Sequence, residues 1–382
     1  MEFLLLPLLT ISISDYSLSI INKILILVVT FIGLVFTRKG SKEFSFLLIL
    51  IVLLFSIGIL TIQKFAFTMA IDFLFFLTFF FLVFNKLNFN GNSLNINLTK
   101  IYKFLYFSFL ISVIYVMFLI FSGENMFEYD YGSYRFIGSN GTAGSAIYYL
   151  TLYIPFFINY RYKNSKSSLI ISLILASLIL WTGSRMAILV LLSITFLDLY
   201  LQTIKKFLKL TYIVIFLSII IYMILLLGER MFFGNEISVS NLNLSGRNIL
   251  WEFVVEHSFD SVYFGHGHGA TTNLLLESKL MGGTRDYQVH NDYLKVYYNF
   301  GLFGLMIFFI FLFSIFKKIH HYKDYSHEHL ILFRINTSYL IGFLMFMLTD
   351  NILIYYFYFY PFLIFFFLMI YGRNKEIYNA KK

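Results

Sequence analysis

The sequence predicts an all-α polytopic membrane protein with about twelve transmembrane helices. Three observations carry that prediction. Hydrophobic residues make up 59% of the 382-residue chain and charged residues only 13%, about half the share found in a soluble domain. Apolar runs close to the roughly 20 residues needed to cross a hydrocarbon core recur from one end to the other. The basic residues collect in alternate connections between those runs. A mean hydropathy of +0.79 excludes a soluble globular enzyme, a disordered chain and a coiled coil. The runs are continuous, whereas barrel strands alternate apolar and polar residues. The chain has no cysteine, which excludes a disulfide scaffold and a thiolate metal site.

The elements follow in order. Met1–Ser14 is apolar, short and interrupted by Pro7. It is either a first span or an interfacial segment, and it lacks the basic start and small-residue cleavage site of a signal peptide. Spans follow at Ser17–Phe36, Phe44–Ile62, Phe65–Phe84, Ile101–Phe121, Ala143–Tyr160, Ser167–Thr182, Met186–Thr203 and Leu210–Leu227. Three more close the series at Val296–Phe316, Leu330–Thr349 and Ile352–Ile370. Ionisable residues within them are few: Lys23, Asp72 and Asp198. Asp72 is either a functional carboxylate or a partner for a neighbouring helix.

Arg38, Lys39 and Lys42, then Lys86, Lys100 and Lys103, then Arg161, Lys163 and Lys166 lie on one face. Lys205, Lys206, Lys209, Lys317, Lys318, Lys323 and the basic tail continue the pattern, so that face is cytoplasmic. The net charge of +9 is therefore an orientation signal and not a nucleic-acid footprint. On the opposite face most connections are short. Ser122–Thr142 is a medium loop, and Gly228–Lys295, between the ninth and tenth spans, is long. That long loop holds eight acidic and five basic residues. A loop of this length among tight hairpins is usually functional. The chain reads as one membrane domain, residues 1–382, with an embedded external subdomain at 228–295.

Three short motifs could carry chemistry. Trp181-Thr-Gly-Ser-Arg185 joins two spans. Sixteen residues from Ser167 to Thr182 give roughly 24 Å of helix, short of the roughly 30 Å core. A sunken tip would put Ser184 and Arg185 in a protein-lined pocket; the alternative is an arginine snorkelling to the interface. Leu244-Ser-Gly-Arg-Asn-Ile-Leu-Trp251 opens a helix with Ser245 at the N-cap and Leu244 and Ile249 as a hydrophobic staple. Arg247 then falls in the first turn, where free backbone N–H groups favour an anion; a solvated surface arginine fits the same stretch. His290-Asn-Asp-Tyr-Leu294 leads into Tyr297, Tyr298 and Asn299-Phe-Gly-Leu-Phe-Gly304. His290 is either a general base, or hydroxyl-orienting group, or a structural histidine. Arg135 is either a further anion contact or a charge partner for the acidic residues before it, and Asp350 and Asn351 form an external tip suited to the same cavity. Gly265-His-Gly-His-Gly269 offers too few ligands for zinc, and the sequence has no P-loop, HExxH or G-x-S-x-G triad.

Taken together, these motifs resemble those of the O-antigen ligase/polymerase superfamily of bacterial envelope proteins. The resemblance rests on Thr182-Gly-Ser-Arg185, on Ser245-Gly-Arg247 with Trp251 and the glycine run to Gly269, and on His290-Asn-Asp-Tyr-Leu294 with a glycine-containing span. It covers Leu180 to Gly304, and it departs from the family at His266 and His268, with only a loose match around Arg135. It implies a glycosyltransferase-C-like fold in the inner membrane with a site facing the periplasm. It also implies inverting, metal-independent glycosyl transfer from undecaprenyl pyrophosphate with no cofactor. Arg185, Arg247 and His290 would be catalytic; Arg135, Ser184, Ser245, Asn291, Asp292 and Tyr298 would contact substrate, with Asn291 or Asp292 orienting His290. The donor and acceptor would both be lipid-linked oligosaccharides in a polymerase, with a chain-length regulator and a flippase as companions. The Phe-, Ile-, Asn- and Tyr-rich composition favours polymerase over ligase, whose acceptor would be lipid A–core. A lipid-linked oligosaccharide flippase is the alternative from another class, although transporters often carry inverted repeats and no repeat is evident.

Overall fold

The computed structural model describes residues 98–130, 133–138, 141–202, 247–278, 288–321 and 327–380. The spans expected before Ile101, the one at Leu210–Leu227, the segment Met1–Ser14, and Lys23 and Asp72 lie outside them. The described residues are mostly helical. In order they form α1 (Leu98–Phe121), strands β1 (Phe127–Asp130) and β2 (Ser133–Phe136), α2 (Gly141–Lys163), α3 (Lys166–Thr182) and α4 (Arg185–Gln202). Then come α5 (Arg247–Glu256), a 3-10 turn at Phe259–Ser261, α6 (Ala270–Ser278), α7 (Asp292–His321), α8 (His327–Phe346), a 3-10 turn at Ile352–Ile354 and α9 (Tyr356–Ala380). Helices α1, α7 and α8 are long and apolar enough to cross a membrane.

Three local expectations are corrected. The connection Ser122–Thr142 contains an antiparallel hairpin, pairing Phe127 with Phe136 and Tyr129 with Tyr134. Its alternating Phe-Glu-Tyr-Asp and Ser-Tyr-Arg-Phe stretches suit a two-faced strand pair. The expected span Ile352–Ile370 begins later, because a 3-10 turn precedes α9. The span expected at Val296–Phe316 starts at Asp292 and is broken at Gly301, whose φ of 65° and ψ of −167° are not helical.

Helix α2 is the centre of the bundle. Every residue from 144 to 159 is buried, as befits a helix that is apolar all round. Helices α1, α3, α4, α8 and α9 pack about it. Pro155 has no N–H, so the carbonyl of Thr151 one turn earlier loses its helical donor. The Tyr339 hydroxyl of α8 donates to that carbonyl at 2.6 Å, and Tyr358 of α9 donates to the Tyr339 carbonyl at 2.7 Å. A buried hydroxyl and an orphaned carbonyl thus satisfy each other across three helices. In the last turn of α2, Arg161 lies 3.4 Å from the buried Asp198 carboxylate. That ion pair gives the intramembrane Asp198 a structural partner on the face whose basic residues the sequence assigns to the cytoplasm.

Candidate anion and acceptor site

The segments carrying the three motifs converge on the connections at one end of the bundle. Arg247 is the first residue of α5, and its Nη1 donates to the carbonyl of Thr349 in the connection between α8 and α9. The same helix is fastened by the Trp251 indole, which donates to the carbonyl of Val289 at 2.8 Å. The next residue, His290, has a positive φ of 49°. Its Nδ1 lies 3.4 Å from the Asn351 amide and 3.6 Å from an Asp350 carboxylate oxygen. Thr349, Asp350 and Asn351 therefore link Arg247 to His290. Asp292 holds this turn in place twice: its N–H donates to Met347 O, and its side-chain Oδ2 accepts from the Leu353 N–H, both at 2.9 Å.

This placement reassigns several side chains. Asn291 Oδ1 accepts from the Leu294 N–H and so caps α7. Asp292 is fully buried and clasps the 3-10 turn. Asp350 and Asn351, which the sequence offered as an external tip, supply the contacts to His290 that Asn291 and Asp292 were expected to supply. Asp292 Oδ1, Thr349 Oγ1 and Asn351 Oδ1 are buried and have no hydrogen-bond partner among the described residues. The Tyr298 ring is 6% exposed and stacks on His266 with centroids 4.4 Å apart. It belongs to a small core with Leu250, Val254, Leu275 and Val289, separate from the core of the bundle. Ser245 lies outside the described residues.

The second group forms around the α3–α4 turn. Gly183 ends α3 in the left-handed region with φ of 65°, and its N–H donates to Leu180 O. The Ser184 N–H donates to Thr182 Oγ1, and the Ser184 carbonyl accepts from Ile188, so α4 starts at Arg185. A Cβ at Gly183 would meet Arg135 Nε at 3.3 Å. The hairpin therefore lays Arg135 across this turn, anchored by Phe127 and Phe136 against Trp181. Glycine is needed here both for the backbone angle and for the close approach. At 17 residues, α3 is about 25 Å long, still short of a roughly 30 Å core.

Both groups lie at the same end of the bundle. A Cβ on Gly342 of α8 would lie 3.1 Å from Val190 of α4. From that level Arg185 is five residues away, about 7.5 Å along α4. The Thr349 turn lies beyond the same end of α8. Each motif arginine also begins a helix, where the first-turn N–H groups add to its positive field.

The glycine run is explained by the break in α7. In an unbroken helix Leu302 and Phe303 would donate to Tyr298 and Asn299. Instead Leu302 donates to Val262 at 2.9 Å and Phe303 to Tyr263 at 3.2 Å, while His266 and Gly267 donate to the freed carbonyls of Tyr298 and Asn299 at 3.0 and 2.8 Å. The loop is inserted into the helical ladder, and the four bonds replace the two that were opened. Asn299 Oδ1 accepts from both the N–H and the hydroxyl of Thr271, securing α6 to the same junction. No group of three or more metal-binding side chains occurs among the described residues.

Residues 170–309 match the family model described as O-antigen ligase. The match supports the O-antigen ligase/polymerase superfamily that the motifs resembled. Arg185, Arg247, His290 and the α7 break all fall within the matched residues. Thr349, Asp350 and Asn351 fall after it. No curated protein gives a significant match to the chain.

Proposed function

We propose that the chain is a surface-polysaccharide polymerase of the inner membrane. It transfers a glycan from undecaprenyl pyrophosphate to a sugar hydroxyl on a second lipid-linked repeat unit, at a site facing the periplasm. The observation that carries this reading is the meeting of Arg247 and His290 at the Thr349–Asn351 turn, in a chain whose residues 170–309 match the O-antigen ligase family model. The glycosidic C–O bond breaks towards the pyrophosphate, which gains negative charge as it leaves. Arg247 and Arg185, each opening a helix, stabilise that charge in the transition state, and Arg135 assists across Gly183. Arginine suits a pyrophosphate because its planar fork bonds two oxygens at once.

His290 accepts the proton of the attacking hydroxyl. That role needs a lone pair on Nε2 and the proton on Nδ1. The Asp350 carboxylate 3.6 Å from Nδ1 favours that tautomer and then the imidazolium, with the neighbouring Asn351 amide turned so that its oxygen faces Nδ1. Ser184 and Ser245 flank the two arginines in sequence. Attack from the face opposite the leaving pyrophosphate inverts the anomeric carbon. No step calls for a metal or a nucleotide.

The second reading is a ligase, with lipid A–core as acceptor; the family match is compatible with either activity. A deletion strain separates the two. Single repeats on lipid A–core mark a polymerase; polymer accumulating on undecaprenyl pyrophosphate refutes it and marks a ligase. Purified full-length protein given lipid-linked repeat units should build longer glycans in detergent without ATP or metal. Lipid movement between vesicle leaflets with no glycan growth would overturn the enzyme reading in favour of a flippase.

A further inference from the structure

Phe259, Tyr263 and Phe264 lie in the loop between α5 and α6, yet their side chains are 69%, 61% and 77% exposed. Their position relative to α7 sets their depth. The backbone bonds from Leu302 to Val262 and from Phe303 to Tyr263 hold the loop at the level of Phe303. The Phe303 ring also touches Tyr263 and Phe264, with centroids 6.1 and 5.3 Å apart. From Phe303 to the basic pair at Lys317 is fourteen residues, about 21 Å of helix. A hydrocarbon core is about 30 Å thick. Phe303 therefore lies inside the core even with several ångström of lysine snorkelling, and helix tilt draws it deeper. Below it on α7 an exposed apolar stripe runs through Met306, Ile307, Ile310 and Phe313; Tyr263 and Phe264 continue that stripe upward, and Phe259 is exposed in the adjoining turn.

Irregular backbone is admitted at such depth only when its polar groups are satisfied. Here the Gly265 N–H donates to Ser261 O at 2.9 Å, and Ser261 Oγ donates back to Gly265 O at 2.8 Å. The carbonyls of Val262 and Tyr263 accept from α7. Asp260 in the adjoining turn keeps the segment near the headgroups and prevents it from crossing.

We propose that Phe259, Tyr263 and Phe264 form an aromatic anchor inserted among the lipid acyl chains of the leaflet at the Asp292 end of α7. Helix α5 runs into this segment through the bonds from His257 to Phe253 and from Ser258 to Val255. The anchor thereby fixes the height of Arg247 above the leaflet, so the arginine meets phosphate-bearing lipids at the depth of their phosphates.

The chain has no cysteine, so single cysteines are unique labelling sites. Full-length Phe264→Cys and Phe259→Cys carry a nitroxide in phosphatidylcholine–phosphatidylglycerol vesicles. Power saturation compares molecular oxygen with a water-soluble nickel chelate. Both labels should favour oxygen several-fold, like a reference label at Phe313→Cys on α7 and unlike one at Glu256→Cys at the end of α5. Nickel accessibility matching Glu256→Cys would overturn the proposal. So would labels closed to both quenchers, which would show another protein surface covering the segment. Both anchor positions are more than half exposed, so the labels disturb little packing.

Discussion

Gly265→Ala tests whether the loop inserted into α7 holds the site together. A Cβ at Gly265 would meet Phe300 N at 2.4 Å and Asn299 C and Gly301 N at 2.5 Å. These are backbone atoms, so the clash cannot be relieved by turning a side chain. The φ of +70° adds a left-handed penalty of about 1–2 kcal/mol for alanine. Separating the loop from α7 opens four backbone bonds at roughly 0.5–1.5 kcal/mol each. The four bonds together come to about 4 kcal/mol, or about a 1,000-fold change in a local opening equilibrium. Gly123→Ala is the control: its φ is +86° but nothing lies within 4 Å of its Cβ, leaving only the backbone penalty. Hydrogen exchange by mass spectrometry in nanodiscs reads both variants. Gly265→Ala should speed exchange of the Tyr298–Phe303 amides by on the order of 1,000-fold, and Gly123→Ala should leave that peptide unchanged. Native exchange rates across Tyr298–Phe303 in Gly265→Ala would refute the reasoning.

Other outcomes follow from the same geometry. Arg185→Ala, Arg247→Ala and His290→Ala should each abolish glycan lengthening by purified protein while membrane insertion persists; near-normal chain length in all three would sink the assignment. Loss of the base at His290 should cost about 100- to 10,000-fold, and Asp350→Asn should cost a smaller part of that, read as kcat with KM little changed. Arg247→Lys keeps the charge but not the fork, so transfer should fall without vanishing, as measured by initial rates on lipid-linked repeats. Tyr339→Phe should leave the Thr151 carbonyl without its side-chain donor, at about 1–3 kcal/mol, seen as a lower thermal-aggregation midpoint in detergent with catalysis intact below it.

Much of the fold was legible because its rules are local. A run of about 20 apolar residues must be helical in lipid, since no water is present to satisfy a loose backbone. Helices over Ile101–Phe121, Ser167–Thr182, Met186–Gln202 and Leu330–Phe346 accordingly match the predicted spans closely. Gly183 was legible as a turn residue, but its second task of admitting Arg135 at 3.3 Å was not. The hairpin was missed because two four-residue strands give too short an alternation to stand out beside continuous apolar runs. Pro155 announced a lost hydrogen bond in α2, yet nothing in the chain order pointed to Tyr339, 188 positions from the carbonyl it serves.

The site divides along the same line. By itself the sequence determined which residue types carry the chemistry: arginines where an anion would sit, a histidine at the edge of a span, and glycines in a run. Each of these is a property of a residue and its near neighbours. Only the tertiary structure decided that Asp350 and Asn351 approach His290 and that Asp292 is buried. It also assigned the glycine run to a broken ladder in α7. Those assignments depend on contacts between segments some 30 to 60 positions apart, and such contacts are fixed by packing and hydrogen-bond satisfaction, which leave no periodic mark on the chain.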